Sequence, residues 1–340
     1  MKVTLKKIAE LANVSRGTVD RVIHNRPGVD EQVRERVLYI LKELDYRPNL
    51  AGKALSSQGK YVLGVILAPD FNPFVDMVKQ GVADSSKAIN AFGFNTDIEV
   101  VSTFNVDEQL QILNHFEEIG VSGISIVPVN DKKIADKINE LTDKGIPIVT
   151  FNSDIQNSKR LCFVGQDNYK AGRTAAALLE GLLADNEQIL IITSSKALIC
   201  HMNRINGCID RIKESKKKLE VMDIIENEDV DDKTFDILVN YIQKNPSLNG
   251  IYLTGGGARG LGKALKVLGK TDVHVVCHDF VEPVISLMKE GVINFTIGQD
   301  PYKQGYLPLQ ILFDHIIKNV ELERDVFYTG IDIRLAENIE

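Results

Sequence analysis

From Tyr61 onward, short apolar runs alternate with longer segments of helical periodicity, and this alternation constrains the fold more than any other feature. The run YVLGVILA (61–68) is continuously apolar, as a strand buried on both faces requires. Further strands are expected near 94–101, 123–127, 146–150, 161–164, 188–193, 219–225, 249–253, 273–277 and 294–298. Segments with helical spacing separate most of them, for example 73–91, 107–119, 131–144, 168–184, 231–244, 257–268 and 301–318. The pattern implies the α/β class, with parallel sheets covered by helices. The runs at 146–150 and 161–164 have no full helix between them. There are too many strands for one comfortable sheet, so two similar lobes are predicted.

Ligands of such folds bind beyond the carboxyl ends of the strands. The residues at those positions are polar and aromatic. They are Asp70, Asn72 and Phe74 after the first run, Asn130 after the third, and Asn152, Ser153 and Asp154 after the fourth. Gln166 and Asp167 follow, then Ser194, Ser195 and Arg204, Gly255 to Gly257 with Gly256 central, Asp279, and Gln299 with Asp300. Taken singly, each is an ordinary loop cap. As a set they suit a polyhydroxylated ligand, because rings stack on C–H faces while hydroxyls both donate and accept.

The first sixty residues have a different texture. In TLKKIAELANVSRGTVDRVIHN (4–25), Leu5, Ile8, Ala9 and Ala12 recur at helical spacing behind a Thr4 cap, and Asn13 to Ser15 break the pattern. Ser15 is placed to cap a second helix with Val19, Val22 and Ile23 on one face and Arg16, Thr18, Arg21 and His24 on the other. Such a segment is either an αα-hairpin with a solvated basic face or a DNA-reading helix-turn-helix. DEQVRERVLYILKEL (30–44) reads as a third helix capped by Asp30. Residues 50–60 read as a linker, or as a short helix capped by Asn49, with interior Gly52 unfavourable by roughly 1 kcal/mol relative to Ala. The expected domains are therefore 1–48, a connecting segment at 49–60, and a two-lobed body at 61–340.

Charge separates head from body. The net charge is -7, yet residues 1–60 carry +5 and the remainder -12. A basic head on an acidic body limits phosphate contact to the head. Cys162, Cys200, Cys208 and Cys277 form no C-x-x-C pair, and Cys200-His201 with Cys208 fits no metal-ligand spacing. The start MKVTLKK lacks the apolar run of a signal peptide, and no stretch reaches membrane-spanning length. A cytoplasmic protein without membrane contact or cofactor is expected.

Both halves resemble one family. The segments IAELANVSRGTVDRVIHN and YRPNLAGKAL are similar to the head of the lactose-repressor family of bacterial transcription regulators. The body, through LGVILAPDFNPF, GISIVPVN, IPIVTFNSD, VGQDNYKAG, NRINGC, VVCHDF and TIGQDPYKQG, resembles the sugar-binding module of periplasmic ribose-type binding proteins. The resemblance implies a homodimer, or a higher assembly, on a near-palindromic operator, with recognition helices in successive major grooves and hinge segments ordered in the minor groove. It implies DNA contacts from Thr4, Ser15, Arg16, Gly17, Thr18, Arg21, His24, Asn25 and Asn49, with Leu55 as the wedge that kinks the duplex. In the body it assigns hydroxyl binding to Arg204, Asp279 and Gln299 and ring stacking to Phe74. Asp70, Asn72, Asn130, Asn152, Asp154 and Gly256 complete the expected site.

Departures from the family pattern bear on specificity. Gly17 has no side chain to read a base, Asp20 stands where serine is usual, and Gly52 replaces a hinge alanine. Gly256-Gly257 replaces an Asn-Asp pair, and Asn152-Ser153 replaces Asp-Arg, which leaves open a different sugar, a cyclitol or a sugar phosphate. A sugar or nucleotide enzyme is the first competing reading. However, GGGARGLG (255–262) is neither G-x-G-x-x-G nor a Walker sequence, and Asp167 with Asp279 suits sugar hydroxyls as well as acid–base work. A transport binding protein is the second, and the DNA-reading head opposes it. The expected function is a non-enzymatic transcription regulator, repressor in type, controlled by a small polyhydroxylated ligand.

Overall fold

The computed structural model describes residues 4–23, 26–44, 61–318 and 320–339. His24, Asn25, Asn49 and Leu55 lie outside the described residues, as does the expected connecting segment.

In the head, α1 (Leu5–Ala12), α2 (Arg16–Ile23) and α3 (Glu31–Glu43) enclose Ile8, Ala9, Ala12, Val19, Val22 and Val37. The caps are those expected. Thr4 accepts from the Lys7 amide at 3.3 Å, Ser15 Oγ from the Thr18 amide at 3.0 Å, and Asp30 from the amides of Gln32 and Val33. Asn13 makes the break by closing α1 in the left-handed region, at φ 53°.

The body consists of two six-stranded sheets, each flanked by helices. The first lobe contains β1 (Tyr61–Leu67), α4 (Phe74–Asn90), β2 (Phe94–Val100), α5 (Val106–Glu118), β3 (Gly123–Ile126), α6 (Lys132–Asp143), β4 (Ile148–Phe151) and β5 (Cys162–Gly165). The second contains α7 (Asn168–Leu182), β6 (Gln188–Thr193), α8 (Ile199–Lys213), β7 (Glu220–Glu226), α9 (Asp231–Lys244) and β8 (Leu248–Leu253). It continues through α10 (Ala258–Val267), β9 (His274–His278), α11 (Glu282–Lys289) and β10 (Phe295–Gly298). The chain then returns to the first lobe as α12 (Pro301–Lys318) and β11 (Val326–Tyr328), and ends in the second lobe with β12 (Asp332–Arg334). The sheet orders are β11-β5-β4-β3-β1-β2 and β12-β10-β9-β8-β6-β7.

All ten expected strands are present. β11 and β12 are additional, three residues each, and β12 runs antiparallel to β10. Both are edge strands of only three residues, too short to stand out as strands in the sequence.

The chain thus passes between lobes after β5, after β10, and between β11 and β12. Gln166 ties these crossings together: its Nε2 donates to the carbonyl of Gly298 at 2.9 Å and to that of Gly330 at 3.0 Å. Within each lobe two helices meet through facing glycines, Gly172 with Gly207 on α7 and α8, and Gly81 with Gly305 on α4 and α12. A Cβ at any of these positions would overlap backbone of the opposing helix.

Candidate effector site and DNA-facing head

The cleft between the lobes is built from loops at the carboxyl ends of the strands and from the start of α8. Asn72, Phe74 and Asn152 line it from the first lobe, and His201, Arg204, Asp229, Gly255 and Asp279 from the second, with Gln299 at the crossing. A neighbouring limb runs past Asn72, Asp229, Gly256, His278 and Asp279. The free space is about 40 Å³ in the first limb and about 20 Å³ in the second, enough for a few waters but not for a sugar ring. The lobes touch across the cleft, with the Asn130 amide donating to the Ala197 carbonyl at 2.9 Å and the Cys200 amide to Ser153 Oγ at 3.4 Å.

Arg204 forms the floor and is only 2 % exposed. It projects from α8, where Gly172 lets the helices approach. Its Nη1 donates to the Thr254 carbonyl at 2.7 Å, and its Nη2 donates to Gln299 Oε1 at 2.9 Å and Gln166 Oε1 at 3.4 Å. Its Nε is buried and has no hydrogen-bond partner among the described residues. A buried guanidinium needs nearby negative charge, and Asp279 and Asp229 supply it. Asp279 accepts from Gln299 Nε2 at 2.8 Å, and burial raises its carboxyl to about 6 against the pull of Arg204. Asp229 accepts from the Gly256 amide at 2.6 Å and is reached by Asn72 from the other lobe. It lies deep among protein atoms, which raises its carboxyl, while one face stays open to the cleft.

Two histidines line the walls. His201 Nδ1 meets Thr254 Oγ1 at 3.0 Å, and burial followed by the Arg204 charge holds the ring down to about 3. His278 Nε2 meets the Tyr252 hydroxyl at 2.8 Å, and its pKa is likewise well below the ordinary value. Both rings are neutral at physiological pH. Asn152, Asp229 and Asp279 hold positive φ of 61°, 59° and 73°, so three of the polar walls are set by left-handed backbone just beyond strand ends.

The cleft therefore gathers Asn72, Phe74, Asn152, Arg204, Gly256, Asp279 and Gln299. Three expected residues stand apart. Asp70 is exposed and paired with Lys79 at 2.7 Å. Asn130 is exposed and its amide is engaged with Ala197. Asp154 accepts both Nε and Nη2 of Arg160, at 2.6 and 2.7 Å, and lies in a separate groove. Asp167 caps α7 by accepting from the Lys170 amide at 3.0 Å. Asp229 and His201 were missed in the sequence. Asp229 sits three residues past β7, a strand-end position like those of Asn152 and Asp279.

In the head, Arg16, Gly17 and Arg21 are exposed along α2, and Thr18 is half-buried with its hydroxyl 2.9 Å from that of Ser15. Asp20 accepts from Arg26 at 3.5 Å. The outward side of α2 thus presents two guanidinium groups on a rigid three-helix base.

Residues 4–49 match the model described as bacterial regulatory proteins, lacI family, and residues 63–319 match the periplasmic binding protein domain. This chain belongs to the lacI family of bacterial regulatory proteins. It is similar to the ribose operon repressor of Lactococcus lactis, with 23% identity and 96% of each chain covered. It is also similar to the transcriptional regulator MalR of Streptococcus pneumoniae, with 25% identity over 86% of this chain and 88% of that one. Among solved structures, the glucose-galactose binding protein GanP of Geobacillus stearothermophilus superposes with a TM-score of 0.75 at 25% identity, covering 82% of this chain and 98% of that one. The relatives are transcription regulators, and the regulator carries their DNA-binding head and ligand-binding fold. Among the described residues no helix is long and apolar enough to cross a membrane.

Proposed function

We propose that the cleft binds a small polyhydroxylated effector and that its occupancy changes the affinity of the head for operator DNA. The observation that carries this reading is the bonding of Arg204. The cation facing the cleft holds Gln299 and Gln166, and Gln166 holds the other two crossings, so a ligand that engages Arg204 acts on all three connections between the lobes. The names of the relatives, a ribose operon repressor and a glucose-galactose binding protein, favour a sugar. A ring enters only when the lobes part, so ligand and lobe angle are linked, and a ligand shifts the balance by its difference in affinity for the two arrangements.

On this reading Asn72, Phe74, Asn152, Arg204, Gly256, Asp279 and Gln299 hold the effector. Arg16 and Arg21 read base edges, with Thr4, Ser15, Gly17 and Thr18 beside the backbone. The regulator acts in the cytoplasm as a homodimer on a near-palindromic site. No catalytic step is assigned, because the cleft carboxylates are bound to Gln299 and Gly256 and the glycine run is filled by protein. A thermal-shift screen of sugars, polyols and sugar phosphates tests the reading, since a ligand of the native state raises the melting temperature. The hit should alter operator affinity by about 5–150-fold. A hit without effect on operator binding would refute the coupling, and a screen without hits would refute the effector.

A further inference from the structure

The charges facing the cleft are unequal. Arg204 is the one cation at its floor among the described residues, and both of its Nη atoms are bonded to protein oxygens. Asp229 and Asp279 face it. Along the outer limb Asp231 joins them, while Arg259 stands 3.9 Å from Asp231 and 3.3 Å from Glu282, its charge already matched. Neutral His201 and His278 contribute no positive charge.

A glycine turn opening a helix is an anion site when its amides are free. Here two of them are taken by carboxylates. The Gly256 amide donates to Asp229 at 2.6 Å and the Gly260 amide to Asp231 at 3.2 Å. The absence of side chains is what admits the carboxylate, because a Cβ at Gly255 would fall 2.7 Å from Asp229 Oδ1 and 2.9 Å from His201 Cε1. The protein's own carboxylates, Asp229 and Asp231, therefore bring negative charge to the turn where a phosphate would approach.

We propose that Asp229, seated on the glycine turn at 255–257, makes the cleft select an uncharged polyol and exclude the phosphate ester of the same polyol. This rests on the effector reading given above and narrows it. A phosphate entering the cleft meets the negative charges of Asp229 and Asp279, and the buried cation Arg204 already has both Nη atoms bonded to protein oxygens, whereas hydroxyls donate to the same carboxylates.

The test is calorimetric titration of the full chain at pH 7.5 with matched pairs: ribose and ribose 5-phosphate, glucose and glucose 6-phosphate, inositol and inositol 1-phosphate. The expected result is that whichever parent binds, its phosphate binds at least tenfold more weakly. Asp229→Asn should shrink that ratio at least threefold, with Asp229→Ser as the second variant and circular dichroism to verify folding. A phosphate that binds as tightly as its parent overturns the inference while leaving an effector site in place. An unchanged ratio in both folded variants removes Asp229 from the selection. If neither these pairs nor the wider polyol screen binds at all, the effector reading fails and the inference falls with it.

Discussion

Gln166 donates to the carbonyl of Gly298 across a separation of 132 residues, and Gly298 precedes the glutamine that matches Gln166 in a repeated segment. GQDNYKAG (165–172) follows the last strand of the first lobe's initial run, and GQDPYKQG (298–305) follows β10. Each segment carries the chain into the opposite lobe and supplies one of the glycines at which helices meet, Gly172 or Gly305. Both glutamines turn Oε1 toward Arg204. One guanidinium therefore touches two equivalent crossings.

Gln166→Ala removes one buried and one part-buried donation and leaves the Gly298 and Gly330 carbonyls without this partner. We expect stability to fall by about 1–3 kcal/mol in urea denaturation. The change in operator affinity on adding effector should shrink more than effector binding itself. Unaltered stability with an intact response would show that the crossings are held by other contacts.

Gly172→Ala places a methyl against the Arg204 backbone carbonyl, whereas Gly181 on the same helix faces open space. Overpacking of this kind typically costs about 1–3 kcal/mol. Gly172→Ala should therefore lower the melting temperature and weaken effector binding by displacing Arg204. Gly181→Ala should be neutral or slightly stabilising, because alanine favours the helix. Equal effects of the two changes would contradict the packing seen between α7 and α8.

The strands and the head were readable because their signals are local. Unbroken apolar runs mark the buried strands, and Thr4, Ser15 and Asp30 cap where a short polar side chain precedes a periodic stretch. The site was readable in position but not in direction. Asp70, Asn130 and Asp154 satisfy the strand-end rule as fully as Asn152 or Asp279 do. What separates them is partners the rule does not consider: Lys79 draws Asp70 outward, and Arg160, six residues on, clamps Asp154. Asp229 satisfies the same rule after β7, and what seats it at the cleft is a turn 27 residues later, where Gly256 donates to it. Periodicity carries no record of such a pairing.

Arg16 and Arg21 present forked donors from the exposed side of α2. Changing either to Ala should weaken binding to cognate operator by roughly 1–3 kcal/mol while affecting a scrambled duplex less. Thr18→Ala should cost less, since its hydroxyl is also engaged with Ser15. Equal losses on cognate and scrambled DNA would assign both arginines to phosphate contacts alone.

Asp279→Asn separates a ligand-facing carboxylate from a structural cap by its dependence on pH. Burial raises the wild-type carboxyl to about 6, above its ordinary 3.8. The folded protein therefore binds the proton more readily than the unfolded chain, and stability contributed by this group falls as pH rises from about 4 to 6. Above pH 6 the penalty is fully present, and below about pH 4 it is absent. Asparagine removes the charge and keeps an oxygen for Gln299 Nε2. At pH 7.5 the variant should thus be more stable than wild type by about 1–3 kcal/mol, with the difference closing toward pH 4. His201 and His278 work in the opposite sense, since groups held neutral by burial cost stability as pH drops below 6.5. They are common to both proteins and cancel in the difference. The same substitution should weaken the effector by at least tenfold, because hydroxyl donors lose a charged acceptor. Paired melting curves from pH 4 to 8, with and without the screened ligand, decide the matter. A variant less stable than wild type at every pH, with its ligand response intact, would make Asp279 a cap for the loop after β9.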